Sequence, residues 1–438
     1  MLDIKFIREH REEVEAAVRN KNADVDVVRL LELDEKRRAA IGTVDTAKAR
    51  QNRISDEIAQ MSGADRETKI EEMRGLKEEI KQHEEELSVI EEEYITLLKT
   101  VPNIPASDVP IGKTEDENVV LKEVGEKRVF DFEVKNHWQL AESAGLIDKK
   151  HATTVAGSRF AYIKGDLVRL QLAIVQFVIE TLGNEMILAR IIADNGLTVS
   201  AKAFTPILPP LMIKTEPYDA MDRLEPREDR YKIEGEELWL QGSAEHVLGS
   251  MHTDETFEEK ELPIRYLGYA TSFRKEAGTY GKDMEGIVRM HQFDKLEMES
   301  FSTHNQSLEE HKFMVAIQEY LMQQLQLPYR VLLKCTADIG KPNARGVDID
   351  VWLPGQNAYR ETHTADYMTD YQARRLNTRV RREEGSLEFV HTNDATAFAI
   401  GRLMIAIIEN YQNADGTVSI PEVLKEYCRI QTIGPVAR

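Results

Sequence analysis

Two runs of the sequence concentrate ionisable and aromatic side chains at spacings that could serve chemistry. In 263–300, read as a β-hairpin, alternation puts Arg274 and Glu276 on one face. On the returning strand it groups Arg289, His291, Phe293, Lys295 and Glu297. Arginines suit phosphates, a phenylalanine suits a flat ring, and carboxylates suit amines or hydroxyls. Such a face is unfavourable to leave unpartnered, although an exposed amphipathic sheet laced by ion pairs would use the same residue types. Between the strands lies 277–286, Ala-Gly-Thr-Tyr-Gly-Lys-Asp-Met-Glu-Gly, whose three glycines would let it fold over a ligand. The second run is 398–408, apolar except for Arg402. That guanidinium is either satisfied inside the core or emerges from a helix to meet an anion, and Gly401 permits close backbone approach beside it.

These residues need a scaffold, and the sequence beyond residue 126 has the texture of one. A helix is expected over 165–182, strands near 237–241, 263–276, 287–300, 328–335 and 347–353, and a final helix over 396–411. Strands joined by hairpin-sized loops with few crossing helices predict an antiparallel sheet in an α+β domain, here 127–438. Pro102, Pro105, Pro110, Gly112 and Gly125 mark 105–126 as a linker. The preceding domain, 1–104, is of another kind. Ile41, Val44, Ala47, Ile54, Ile58 and Met61, then Ile70, Met73, Ile80, Leu87, Ile90, Tyr94 and Leu97, keep a helical period on either side of a turn at 62–65. They predict an antiparallel helical hairpin over about 27–101, roughly 50 Å long. Its first helix carries Lys36, Arg37, Arg38, Lys48, Arg50 and Arg53, and its second carries glutamates at 84–86 and 91–93. This is either a pair of solvated coiled-coil flanks or a basic stripe for an RNA backbone, shielded by an acidic neighbour.

Composition narrows the possibilities. A chain of 438 residues, 42% apolar, is comfortable as two domains with a sizeable core. Its 57 Lys and Arg against 77 Asp and Glu give a charge of -20, which excludes a protein that coats nucleic acid non-specifically. Any RNA contact must therefore be local. Two cysteines, Cys335 and Cys428, exclude a disulfide framework and a Cys-rich zinc site. The first fifteen residues lack the apolar core of a signal peptide, and no apolar run reaches about 18 residues. The expected compartment is the cytoplasm, with no membrane partner.

Arg274-Lys-Glu-Ala-Gly278, continuing to Arg289-Met-His-Gln-Phe-Asp-Lys-Leu-Glu297, resembles the second signature motif of the class II aminoacyl-tRNA synthetases. Gly401-Arg402, within 399–412, resembles the third. The helix at 165–182 and Pro209-Pro210 sit where the first, dimer-forming motif belongs. Val101-Pro-Asn-Ile-Pro105, Phe130-Asp-Phe132, His137-Trp138, Gly157-Ser-Arg-Phe160 and Tyr371-Gln-Ala-Arg-Arg375 narrow the resemblance to the seryl-tRNA synthetases, over practically the whole chain. The resemblance implies an antiparallel class II sheet flanked by helices, with a coiled-coil arm that binds tRNA. It implies activation of L-serine by ATP to seryl-adenylate, then transfer of the seryl group to the 3′ end of serine tRNA. It further implies a homodimer, Mg²⁺ accompanying ATP, and no zinc.

By the same resemblance, Arg274 would bridge the α-phosphate and the serine carboxylate. Phe293 and Arg402 would enclose adenine, with Arg402 also near the γ-phosphate. Glu276 would read the adenine amino group, Arg289 would steady the triphosphate, and Glu361 with Thr364 would hold Mg²⁺ through oxygen. Glu297 would accept the serine hydroxyl, Ser243-Ala244-Glu245 would take its ammonium, and Thr396 would line the pocket. The arm cations would meet the long variable arm of the tRNA. Three places depart from the family pattern. Thr392-Asn-Asp-Ala-Thr396, containing Asn393, Asp394 and Ala395, replaces Thr-Leu-Asn-Gly followed by Ser or Thr. Thr362-His-Thr-Ala-Asp-Tyr-Met368, containing His363, replaces Ser-Ser-Cys-Ser-Asn-Cys, and His246 stands where an apolar residue is usual. All three gather at the amino-acid pocket. A zinc-dependent branch of the family holds its metal partly by cysteine. Cys335 lies in no plausible ligand cluster, so His246, His363, Asp366 and Asp394 are read as polar supports. Two alternatives remain: a ligase of the same fold charging another amino acid or carrier, and a non-catalytic RNA-binding paralogue. The second would have lost Arg274, Arg402 and Glu361.

Overall fold

The computed structural model describes residues 1–276 and 286–434, so nearly all of the three-glycine segment lies outside the described residues. The chain divides into two compact units, Met1–Ile104 and Pro105–Arg438.

In the first unit two short helices, Ile4–Glu9 and Arg11–Asn20, precede α1 (Val27–Gln60) and α2 (Ala64–Thr100). The side chain of Asp26 caps α1 by accepting from Arg29 N at 2.8 Å. Gly63, at φ 72°, makes the turn that reverses the chain. Ala47, Ile54, Leu76 and Ile80 are buried between α1 and α2 as the hairpin's own small core. Four of the six cations singled out in the sequence are already paired. Arg37 meets Glu91 at 2.9 Å, Arg38 meets Asp34 at 3.1 Å, Lys48 meets Glu84 at 2.7 Å and Arg50 meets Glu72 at 2.8 Å. Lys36 and Arg53 are exposed and make no ion pair among the described residues.

The second unit is built on one eight-stranded sheet. In chain order its strands are β1 (Val119–Val124), β2 (Thr205–Ile207), β3 (Ile264–Phe273), β4 (Gln292–Ser302), β5 (Tyr329–Leu333), β6 (Arg345–Leu353), β7 (Ala358–Thr369) and β8 (His391–Ala399). They lie in the order β1-β5-β6-β7-β8-β4-β3-β2, antiparallel except for the parallel pair β2–β3. Three helices cover one face: α3 (Asp166–Leu182), α4 (Ser307–Gln324) and α5 (Ile400–Asn410). Leu296, Met298, Ile349, Val351, Ala365 and Ala397 join them in the main core. Local alternation turns the polar residues Lys295, Glu297, Asp348, Thr364, Asp394 and Thr396 to the other face.

Several sequence expectations shift here. Residues 105–126, expected as a linker, fall in the second unit and supply the edge strand β1. The strand expected at 237–241 is Leu238–Leu240, paired with Met212–Lys214 in a separate two-stranded sheet. The helix expected from 396 starts at Ile400, because 396–399 complete β8. No single helix among the described residues is long and apolar enough to cross a membrane.

Candidate active site

β3 ends at Phe273 and β4 begins at Gln292, so Arg274, Glu276 and Arg289 sit just past the strand ends rather than within them. The ladder still extends one step, as Arg274 N donates to His291 O at 3.0 Å. Arg274 Nε donates to Gly242 O at 2.9 Å, and its guanidinium lies 5.4 Å from the centre of the Phe293 ring. Glu276, at φ 51°, ends the extended run and accepts from Arg289 Nη1 at 3.1 Å. Across the cleft Arg402, in the first turn of α5, donates to Glu361 O and Glu361 Oε1, both at 2.9 Å. Burial acts to raise the Glu361 carboxyl, but Arg402 and Lys334 hold it below its usual range.

A break in the sheet brings Glu361 into this group. Glu361 pairs with Asp350 and His363 with Ile349, which leaves Thr362 as an extra residue in β7. The bulge lets Glu361 and Thr364, three residues apart, line the same cavity. That cavity, about 110 Å³, is bounded by Arg274, Glu276, Phe293, Thr396 and Arg402. A larger one of about 370 Å³ shares Arg289, Glu361 and Arg402 with it and is lined further by Arg330, Lys334, Asp348 and Asp350. An aromatic ring beside a guanidinium, adjoining a recess lined by both cations and carboxylates, can hold a flat heterocycle attached to a polyanion.

The inner end is closed and densely charged. Ser243, just ahead of the short helix Ala244–Gly249, and Glu297 are both fully buried. Ser243 Oγ lies 3.2 Å from Glu297 Oε2 and accepts from Lys295 Nζ at 3.1 Å. Lys295 also pairs with Glu297, and Thr396 Oγ1 reaches Glu297 Oε1 at 3.5 Å. Burial raises Glu297 to about 7, with Lys295 opposing and Glu245 reinforcing the shift. Glu245 behaves oppositely: burial would raise it, yet Arg223 at 3.0 Å and His246 at 3.4 Å hold it well below the ordinary range. Burial pushes His246 down to about 4, so it stays neutral. Ligand atoms of Glu245, Glu297 and Asp394 lie within 4.8 Å of one another, with Arg223 and Lys295 close to them. A buried cluster of this kind has the groups to ion-pair an ammonium at one end and hydrogen-bond a hydroxyl at the other.

Comparison with known proteins fits this arrangement. The profile of the seryl-tRNA synthetase N-terminal domain matches residues 1–105, and that of the tRNA synthetase class II core domain (G, H, P, S and T) matches 229–411. The serine–tRNA ligase of Symbiobacterium thermophilum is 38% identical over 436 residues, covering 99% of this chain and 100% of that protein. The chain belongs to the seryl-tRNA synthetase family. Solved structures of seryl-tRNA synthetases are similar to this chain. The enzyme from Pyrococcus horikoshii, complexed with ATP, has a TM-score of 0.87 at 35% identity, with 100% of both chains covered. The cytoplasmic serine–tRNA ligase from Naegleria fowleri, in complex with AMP, has a TM-score of 0.84 at 31% identity, covering 100% of this chain and 99% of that one.

As a seryl-tRNA synthetase family member, the chain gathers its expected site residues into two neighbouring groups. Arg274, Glu276, Arg289, Phe293, Glu361 and Arg402 line the outer cavities, and Ser243, Glu245, Glu297 and Thr396 close the inner end. The arm cations belong to the first unit. His363 faces the helices instead, its ring 5.0 Å from that of Phe398. Asn393 likewise donates to Ser307 O on α4 at 3.1 Å. Sequence reasoning missed Arg223, Lys334 and Glu299, and it gave Lys295 no role. Lys295 was discoverable, since it shares the alternation of Phe293 and Glu297. Arg223 follows the irregular turn after Thr215–Ala220, where no periodicity marks it.

Proposed function

We infer that this protein joins L-serine to serine tRNA at the expense of ATP. The serine carboxylate attacks the α-phosphorus, pyrophosphate leaves, and a hydroxyl at the tRNA 3′ end then takes the seryl group from adenylate. The observation that carries this reading is that Lys295 and Thr396 line the Phe293–Arg274–Arg402 recess and also contact the buried Ser243–Glu297 cluster behind it. Catalysis in such a site is positioning plus neutralisation of phosphate charge. Arg274 bridges the α-phosphate and the substrate carboxylate, Phe293 stacks on adenine, Glu276 reads its amino group, and Arg289 and Arg402 hold the phosphates. Glu245 takes the ammonium, and Glu297 and Thr396 take the hydroxyl.

Thr364 lies opposite Asp348 across the strands and hydrogen-bonds its carboxyl, with the Glu361 carboxylate lining the same recess as Asp348. That oxygen-rich set fits a hard cation, so Glu361 and Thr364 would hold Mg²⁺, whose charge helps neutralise the triphosphate. A homodimer is supported by exposed Val168, Leu172, Met186, Leu208, Leu211 and Met212, which fall in the region of the dimer-forming motif. A cytoplasmic location agrees with two free buried cysteines. The arm, 1–104, delivers tRNA to the ligase body. The test is ATP–pyrophosphate exchange with each of the twenty amino acids. Exchange with serine alone, abolished in Arg274→Ala, is expected. Exchange with a different amino acid would move the substrate assignment.

A further inference from the structure

Beside the inner pocket the sheet does something unfavourable. The pairings of β7, β8 and β4 put Asp366 opposite Asp394 and Asp394 opposite Glu299, three carboxyls in one cross-strand row. Directly opposed like charges destabilise a sheet. These three are only 7%, 2% and 1% exposed, so desolvation compounds the repulsion. Burial first, and the surrounding carboxylates next, push Asp394 and Glu299 well above the ordinary carboxylate range.

One guanidinium answers this row and the pocket at once. Arg223 places Nη2 at 3.6 Å from Asp394 Oδ2 and 3.7 Å from Asp366 Oδ2, while Nε lies 3.0 Å from Glu245 Oε1. Its backbone is anchored independently, as Arg223 O accepts from Arg230 Nε at 3.2 Å and the nearby Met221 O accepts from Gln372 Nε2 at 3.0 Å. Glu245's other close neighbours, Ser243 Oγ at 3.4 Å and His246, carry no charge, and Lys295 is engaged with Glu297. Lys295 and Arg223 are therefore not interchangeable: each cation serves a different carboxylate.

We propose that Arg223 is a positioning residue, clamping Glu245, Asp394 and Asp366 together and thereby fixing the Glu245 carboxylate where it receives the serine ammonium. Arg223 touches no reacting atom and acts through Glu245. The proposal rests on the assignment of Glu245 to the substrate ammonium. A planar fork can address three acceptors on separate elements, which a lysine point charge cannot.

Serine-dependent pyrophosphate exchange with the full chain tests it. In Arg223→Gln, KM for serine should rise about thirtyfold, about 2 kcal/mol for loss of a buried ion pair that holds Glu245. KM for ATP should stay within about twofold, and Arg223→Lys should recover part of the serine affinity. Because Arg223→Gln leaves the acid row unneutralised, the double variant Arg223→Gln/Asp366→Asn guards against simple misfolding. Its thermal midpoint should return toward that of the parent while KM for serine stays high. A parental serine KM in the folded double variant would mean that Arg223 only balances charge, and would overturn the proposal. So would an equal rise in the KM values for ATP and serine. An unsubstituted protein without serine exchange defeats the functional reading itself, a result seen before any variant is made.

Discussion

Phe293 and Glu297 stand four residues apart on one strand face, yet the reaction asks opposite things of them. Phe293 must offer a bare ring, whereas Glu297 is fully buried and bound to Lys295 and Ser243. Phe293→Ala should raise KM for ATP about tenfold, the usual worth of base–aromatic stacking, and leave KM for serine nearly unchanged in the exchange assay. Glu297 makes a separate prediction about pH. Burial holds its carboxyl at about 7 in the folded protein, above the value of roughly 4.3 in an unfolded chain. The native state therefore binds the extra proton, and this contribution is fully present below the unfolded value and lost as pH rises through about 7. Glutamine cannot ionise, so Glu297→Gln should gain thermal midpoint relative to the parent on going from pH 5.5 to pH 8. A constant difference across that range would remove the buried carboxyl from the argument.

At the scale of elements, what could be read in the sequence depended on how regularly a segment keeps its apolar period. The two long helices were legible because 27–60 and 64–100 obey one period with almost nothing to interrupt it. The hairpin 264–302 was legible from its alternation. β7 and β8 were not, although they are central to the sheet, and 396–399 was expected in the final helix. β7 carries Arg360, Glu361, His363 and Asp366, and β8 carries Asn393 and Asp394, so the apolar pattern that marks a buried strand is missing. The bulge at Thr362 also breaks the period of two that would have placed Glu361 and Thr364 on opposite faces. α4 was missed for a related reason, since buried Glu310, His311, Gln318 and Glu319 dilute its apolar stripe. In the arm the sequence showed the cations but not their partners. With Arg37, Lys48 and Arg50 tied to glutamates of α2 and Arg38 to Asp34, Lys36 and Arg53 are the two of the six expected cations left for phosphate, unpaired among the described residues. Replacing both by alanine should make the salt dependence of tRNA charging shallower by about 0.7–0.9 log units for each phosphate no longer neutralised, more than Arg37→Ala/Lys48→Ala does. Removing the hairpin beyond residue 44 and before 81 should leave serine-dependent exchange within about twofold while tRNA charging drops roughly hundredfold. Equal losses in both assays would mean that the arm supports the fold of the body instead.

Over the whole molecule, the polar residues buried to build the site set how the protein responds to acid. His246, His311, His363 and His391 are pushed by burial to about 4, 4, 3 and 4. An unfolded histidine titrates near 6.5, so the unfolded chain binds more protons below that pH. Stability held by the neutral rings is thus present above about 6.5 and lost as pH falls toward 4. Each histidine contributes a slope of about 1.4 kcal/mol per pH unit, so four approach the total stability of an ordinary domain within two units. Glu297 and Asp348, held near 7 and 8, act in the opposite sense and soften the slope. All four histidines lie in the second unit, as do Trp138, Trp239 and Trp352, the chain's three tryptophans. Tryptophan fluorescence therefore reports acid unfolding of the body alone, and a cooperative change between about pH 6 and pH 4 is expected. The long helices of the first unit rest on Ala47, Ile54, Leu76 and Ile80 and on no buried histidine, so helical circular dichroism should outlast the fluorescence change. His391→Gln, which removes one ring without touching the substrate pockets, should move the midpoint to lower pH. An unmoved midpoint, or simultaneous loss of both signals, would show that the carboxylates rather than the histidines govern the transition.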